Sequence, residues 1–121
     1  MGRGTETEGR NQMKLDFLTM DENWLANFKG GEKGLLAKMF VDEQNRIIRA
    51  RLIAGATVGD HTHETGSEII FALSGEATAT TDGVEEHLAA GDCHYCPKGH
   101  SHTLRNDGPE DFVFLAVVVQ Q

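Results

Sequence analysis

Apolar and polar residues alternate along most of the chain with a period of two, as strands with one buried face require. The clearest run is 47–54, where Ile48, Ala50, Leu52 and Ala54 take the even positions and Arg49 and Arg51 the odd ones. Further strands are expected over 14–18, 35–41, 68–73, 75–81, 84–88, 93–96, 101–106 and 112–119, with one more carrying His61 and His63 after a bend over 55–60. Turns separate them at Asp42–Asn45, Gly91-Asp92, Pro97–Gly99 and Asp107–Pro109, and Asp82-Gly83 marks a tight hairpin. Helical spacing is visible only in Trp24, Leu25 and Phe28, behind Asp21 as a cap, so a helical turn is expected over 21–28. The last run is apolar on both faces, as in a strand covered on both sides. Nine or ten short strands with almost no helix predict an all-β sandwich or barrel.

Composition narrows this picture. The 121 residues suit one domain with one core. Residues 1–12 have no apolar spacing and are expected to form a disordered tail, leaving 13–121 as the domain. Lys and Arg number 11 against 19 Asp and Glu, a net charge of −8 that argues against nucleic acid and anionic membranes as partners. Two cysteines are too few for a disulfide framework, no N-terminal apolar run marks a leader, and the 112–119 run is too short to span a bilayer. A cytoplasmic location is expected.

The chemistry gathers in His61-Thr62-His63-Glu64-Thr65-Gly66-Ser67-Glu68. Residues i and i+2 of a strand face one way, so His61 and His63 can aim both imidazoles at one point. Imidazole and carboxylate are both ligands for transition metals. Glu64 and Glu68 are each available; Glu68 is favoured because the intervening residues form a turn that carries it back towards the histidines.

The chain resembles the cupins, and in particular a small single-domain bacterial cupin. The first cupin motif is a glycine, five residues, His-x-His, three or four residues, Glu, six residues and a glycine; here these are Gly55, His61, His63, Glu68 and Gly75. The second is a glycine, five residues, Pro-x-Gly, two residues, His, three residues and Asn; here Gly91, Pro97, Gly99, His102 and Asn106. Each defining residue type occurs at about one position in twenty, so the full match has odds on the order of one in 10^13 by chance. The resemblance implies a double-stranded β-helix, or jelly-roll barrel, with one divalent transition metal (Zn, Ni, Mn, Fe or Cu) held by His61, His63, Glu68 and His102. It also implies a homodimer, which the doubly apolar last strand favours independently. The motif glycines are expected at turns needing positive φ, and Asn106 is expected to hydrogen-bond backbone beside a turn.

Other residues have weaker patterns. His100 precedes His102 by two and is a candidate acid-base group, against the plainer reading of a histidine at an exposed turn. His94 and Cys96 share one strand face and Cys93 and Tyr95 the other. His94 is then a packed or surface histidine or a proton shuttle, and the cysteines point apart, unsuited to a disulfide or zinc pair. His87 belongs to a hairpin arm facing water. Arg49 and Arg51 are set to face solvent or a partner, or else a substrate carboxylate. Two functions follow from the pattern and the resemblance. One is a metal-dependent enzyme (dioxygenase, isomerase, decarboxylase or lyase) acting on a small metabolite that chelates through two oxygens. The other is a non-catalytic small-molecule or metal-binding or sensor module.

Overall fold

The structure, a computed structural model, describes residues 4–7, 9–10 and 14–121. Near the N-terminus Gly4–Thr7 (β1) and Gly9–Arg10 (β2) pair as a small antiparallel ribbon, and the rest of the expected tail, 1–3, 8 and 11–12, lies outside the described residues. Ten further strands follow: β3 (Asn23–Ala26), β4 (Gly34–Val41), β5 (Asn45–Leu52), β6 (Thr57–Thr62), β7 (Gly66–Ser74), β8 (Glu76–Thr81), β9 (Val84–Ala89), β10 (Cys93–Cys96), β11 (Ser101–Arg105) and β12 (Phe112–Gln120). They form two antiparallel sheets, six-stranded in the order β10-β7-β12-β5-β4-β3 and four-stranded in the order β6-β11-β8-β9. From β5 onward the chain crosses between the sheets at every step except the β8–β9 hairpin, and the two inner faces close on each other as a jelly-roll barrel.

The period-two pattern puts the core where alternation predicts. Ile48, Ala50 and Leu52 of β5, Ile70 and Ala72 of β7 and Phe112, Phe114 and Ala116 of β12 are buried. They meet Val58, Ala77, Ala79, Leu88 and Leu104 from the smaller sheet. Arg49 and Arg51 lie on the outer face, where Arg51 pairs with Glu22 at 2.8 Å and Asp111 at 2.9 Å. The motif glycines Gly55, Gly75, Gly91 and Gly99 all take positive φ, between 77° and 96°. Asn106 is fully buried and ties the barrel end together: its amide donates to the carbonyls of Leu52 and Glu110, each at 2.8 Å, and its oxygen accepts from Gly108 N–H at 2.9 Å.

Two expectations are corrected at the N-terminal end. Residues 14–18 form no strand: the Asp16 carboxylate accepts from Leu18 N–H at 3.0 Å in a local turn, and Leu18 is 91% exposed. The aspartate side chain's own bond to the backbone favours a turn over an extended run there. Residues 23–26 are strand rather than helix, because Trp24 and Leu25 pair across to Leu36 and Leu35 of β4. Among the described residues only Phe28–Gly30 is helical, a single 3₁₀ turn (η1). A sheet partner outweighed the weak local helical spacing.

Candidate metal centre

His61 and His102 face each other across adjacent strands, β6 and β11. Simple alternation would turn His61 outward, since Val58 three residues earlier points into the core. A β-bulge corrects this. The register advances three residues on β6, from Val58 to His61, while β11 advances two, from Leu104 to His102. The extra residue resets the parity, as bulges beside functional sites do. Thr103 Oγ1 fills the bulge by donating to the Val58 carbonyl at 2.6 Å, and the Gly59 carbonyl accepts from His61 Nδ1 at 2.8 Å. That bond leaves the His61 Nε2 lone pair facing inward.

His63 lies one residue past β6 and stays aligned, because its N–H donates to the His100 carbonyl at 3.0 Å and its carbonyl accepts from Gly99 N–H at 2.7 Å. The Glu64–Thr65 bend then leads into β7, whose inner face carries Glu68 from the opposite sheet. The expected four residues thus converge, with one donor atom from each lying within 4.8 Å of all the others. His102 Nε2 is 2.9 Å from Glu68 Oε1, 3.0 Å from His63 Nε2 and 3.2 Å from His61 Nε2. Glu68 Oε1 is 3.0 Å from His63 Nε2 and 4.0 Å from His61 Nε2.

These spacings test whether the donors fit a metal. With metal–ligand bonds of about 2.1 Å, neighbouring octahedral ligands are about 3.0 Å apart, opposite ones about 4.2 Å and tetrahedral ones about 3.4 Å. Four of the distances match octahedral neighbours, and the His61–Glu68 distance matches an opposite pair. The quartet could hold a six-coordinate divalent ion.

The electrostatics agree. Burial would raise the Glu68 carboxyl, but hydrogen bonds with His102, His61 and His63 outweigh it and hold it well below its ordinary 4.5. Burial pushes His102 below its ordinary 6.5, with Glu68 opposing. An ionised carboxylate and a neutral imidazole are the forms that bind metal.

His94, expected as a packed or surface histidine or a proton shuttle, is packed, 2% exposed, and touches the quartet. Its Nε2 lies 3.0 Å from His102 Nδ1, and its Nδ1 lies 3.1 Å from Glu86 Oε1. With His102 Nε2 turned to the quartet, His102 Nδ1–H donates to His94, and His94 Nδ1–H donates to Glu86. Cys96, on the same face, is fully buried, and burial raises its thiol to about 11. Cys93 and Tyr95 are exposed on the other face, so the cysteines do point apart. His100 is half exposed and binds Asp82 at the β8–β9 hairpin at 2.5 Å, and it is not among the residues lining the cavity over the quartet. His87 is exposed beside Glu76.

That cavity has a volume of about 180 Å³ and is bounded by the quartet, the Glu64–Thr65 bend, η1 and the near ends of β5 and β12. It is smaller than the ~300–1,000 Å³ of drug-sized sites. Two cationic side chains, Lys29 on η1 and Arg46 on β5, line it. Arg46 shares the parity of Ile48, and reading that strand two residues further back would have found it.

A two-sheet jelly roll with three histidines and a glutamate gathered at a cavity in the barrel defines a class of small β-barrels with a candidate metal site. The chain belongs to the cupin family, whose Cupin domain model matches residues 48–118. It is similar to a Thermotoga maritima protein named oxalate-binding protein, with 35% identity over 102 residues that cover 78% of this chain and 84% of the relative. It is also similar to the crystal structure of a predicted oxalate decarboxylase from Thermotoga maritima (TM-score 0.84, 28% identity), covering 90% of this chain and 100% of that one. An RmlC-like cupin from Shewanella frigidimarina matches over 92% of this chain and 93% of its own with a TM-score of 0.76, and at 17% identity speaks for the fold alone.

Proposed function

We propose that His61, His63, Glu68 and His102 hold one divalent transition metal, and that this centre binds a small acid of the oxalate type through two oxygens. One observation carries the reading: the donor atoms of His61, His63, Glu68 and His102 all lie within 4.8 Å of one another and line one small cavity. An ion held by them would meet that cavity, where a two-oxygen chelator would fit. Three neutral imidazoles and one carboxylate leave a divalent ion with net charge of about +1, which favours an anionic ligand. The metal would supply Lewis-acid polarisation of the bound oxygens. The chain's own residues fix the donors, shape the small cavity and add cationic side chains at its wall. The names of the two Thermotoga maritima relatives support the same ligand class.

Decarboxylation is the second reading, favoured by Glu64, which among the described residues is the one carboxyl lining the cavity besides Glu68. In that reaction the carbon–carbon bond of hydrogen oxalate breaks to release CO2, its carboxyl proton passes to Glu64, and the remaining carbon takes that proton up to give formate. The test is calorimetric titration of manganese-loaded protein with oxalate, with the mixture then examined for formate. Saturable one-to-one binding is expected, and formate would add the enzymatic reading. Absence of oxalate binding with manganese, zinc, nickel, iron and copper alike would refute the proposal. Two cysteines unpaired and on opposite faces suit a reducing compartment, and we place the protein in the cytoplasm on that ground. A mature chain found in an oxidising compartment would contradict this.

A further inference from the structure

Arg46 lines the cavity and lies outside both cupin motifs. It occupies the inward parity of β5 together with Ile48, Ala50 and Leu52. Strand register fixes where it stands relative to the quartet. Arg46 pairs with Val118 on β12, and Val118 pairs with Glu68 on β7, so the three form one row on the inner face of the larger sheet. At ~4.8 Å per strand, Arg46 and Glu68 start about 10 Å apart along that row, with the cavity above Val118 between them. All three line the cavity. The Arg46 Nε is buried and has no hydrogen-bond partner among the described residues. A buried, unpaired guanidinium N–H is costly unless something else satisfies it. On the outer parity of the same strand Arg51 is paired with Glu22 and Asp111, whereas Arg49 also has a buried Nη1 without a partner among the described residues but does not line the cavity.

The charge pattern points the same way. The chain carries a net charge of −8, yet Arg46 and Lys29 both face this one small cavity. We propose that Arg46 is the anion-recognition residue of the site, taking the end of a chelated acid that is remote from the metal. This rests on the oxalate-type reading above and sharpens it. Oxalate chelating through one oxygen of each carboxyl presents its other two oxygens side by side, away from the metal. The parallel N–H pair of a guanidinium edge, Nε–H and one Nη–H, matches such a pair of acceptors. Oxamate has nearly the same size and can chelate through two oxygens, but one of its remote atoms is then an amide N–H₂. That group turns donors towards donors. Arg46 therefore widens the preference for doubly charged acids over singly charged ones beyond what the charge of a held ion would give.

The experiment titrates manganese-loaded wild type, Arg46→Gln and Arg46→Lys with oxalate and with oxamate, and measures bound manganese in each protein separately. Wild type is expected to bind oxalate at least about tenfold more tightly than oxamate. In Arg46→Gln, oxalate binding should weaken about 10- to 100-fold, the loss expected for a charge-assisted pair. Oxamate binding should change little, manganese content should stay at the wild-type level, and Arg46→Lys should restore part of the preference. Arg46→Gln binding oxalate as tightly as wild type at full manganese content would overturn the role of Arg46 and leave the oxalate-type reading standing. Equal affinities of wild type for the two acids would do the same, without depending on whether any variant folds. Failure of manganese-loaded wild type to bind either acid would overturn both.

Discussion

At the scale of single residues, the candidate centre depends on side chains that orient the donors as well as on the donors. His94 holds the proton position of His102 from behind, and Glu86 anchors His94. Losing a group that orients a metal ligand typically costs 10- to 100-fold in affinity. His94→Ala is therefore expected to weaken metal binding about 10- to 100-fold in a chelator competition assay. Glu86→Gln should weaken it less, because Glu86 is exposed to water. Wild-type affinity in His94→Ala would show that the contact has no consequence. Acidity is the second lever. The folded-state values of Glu68 and His102 both lie below their ordinary 4.5 and 6.5. Each group then contributes stability that is complete above its ordinary value and is lost as pH falls through the lower, folded one. Metal-free protein should melt at a steady temperature above about pH 6.5, lower below it, and lower again below about pH 4.5. A melting temperature, followed by circular dichroism, that stays flat between pH 7 and pH 4 would contradict that linkage.

At the scale of elements, a bulge and a close crossing position the site. The β6 bulge turns His61 inward, and η1 packs against the same stretch of chain. That crossing leaves no room for side chains: a Cβ on Gly59 would overlap the Lys29 carbonyl, and one on Gly31 would overlap the Thr57 carbonyl. Gly59→Ala should accordingly destabilise the fold by about 2 kcal/mol, measured by denaturant unfolding. It should also weaken metal binding, since the Gly59 carbonyl accepts from His61 Nδ1. Unchanged stability and metal affinity would mean that the crossing is looser than described. The same elements show how far the sequence could be read. Alternation located β5 and β8 to within a residue or two, because each buries one face and a one-residue slip would expose it, while the Asp82-Gly83 hairpin located β9 and the continuous apolar run located β12. Motif spacing brought His61, His63, Glu68 and His102 to one point. The bulge stayed hidden, since an extra residue leaves no trace in a pattern of apolar positions. The contacts of His94 with His102 and Glu86 join strands from different sheets, which only the folded chain brings together.

At the scale of the whole molecule, the larger sheet presents an apolar outer face. Ile69, Phe71 and Leu73 of β7 lie beside Val113, Leu115 and Val117 of β12, with Phe71 47% and Tyr95 55% exposed. An apolar patch of this kind marks an interface, and we propose that two copies pack through it. Light scattering at micromolar concentration is expected to report a dimer for wild type and a monomer for Phe71→Asp, whereas a monomeric wild type would refute the interface. In the barrel interior donors from two sheets converge, and the ion proposed there is tested most directly by elemental analysis after incubation with manganese and dialysis, with wild type beside His102→Ala and Glu68→Gln. Wild type should retain about one ion per chain, and each variant, shown to be folded by circular dichroism, less than about a tenth of that. A wild type that retains no transition metal, or variants that retain as much as wild type, would contradict it.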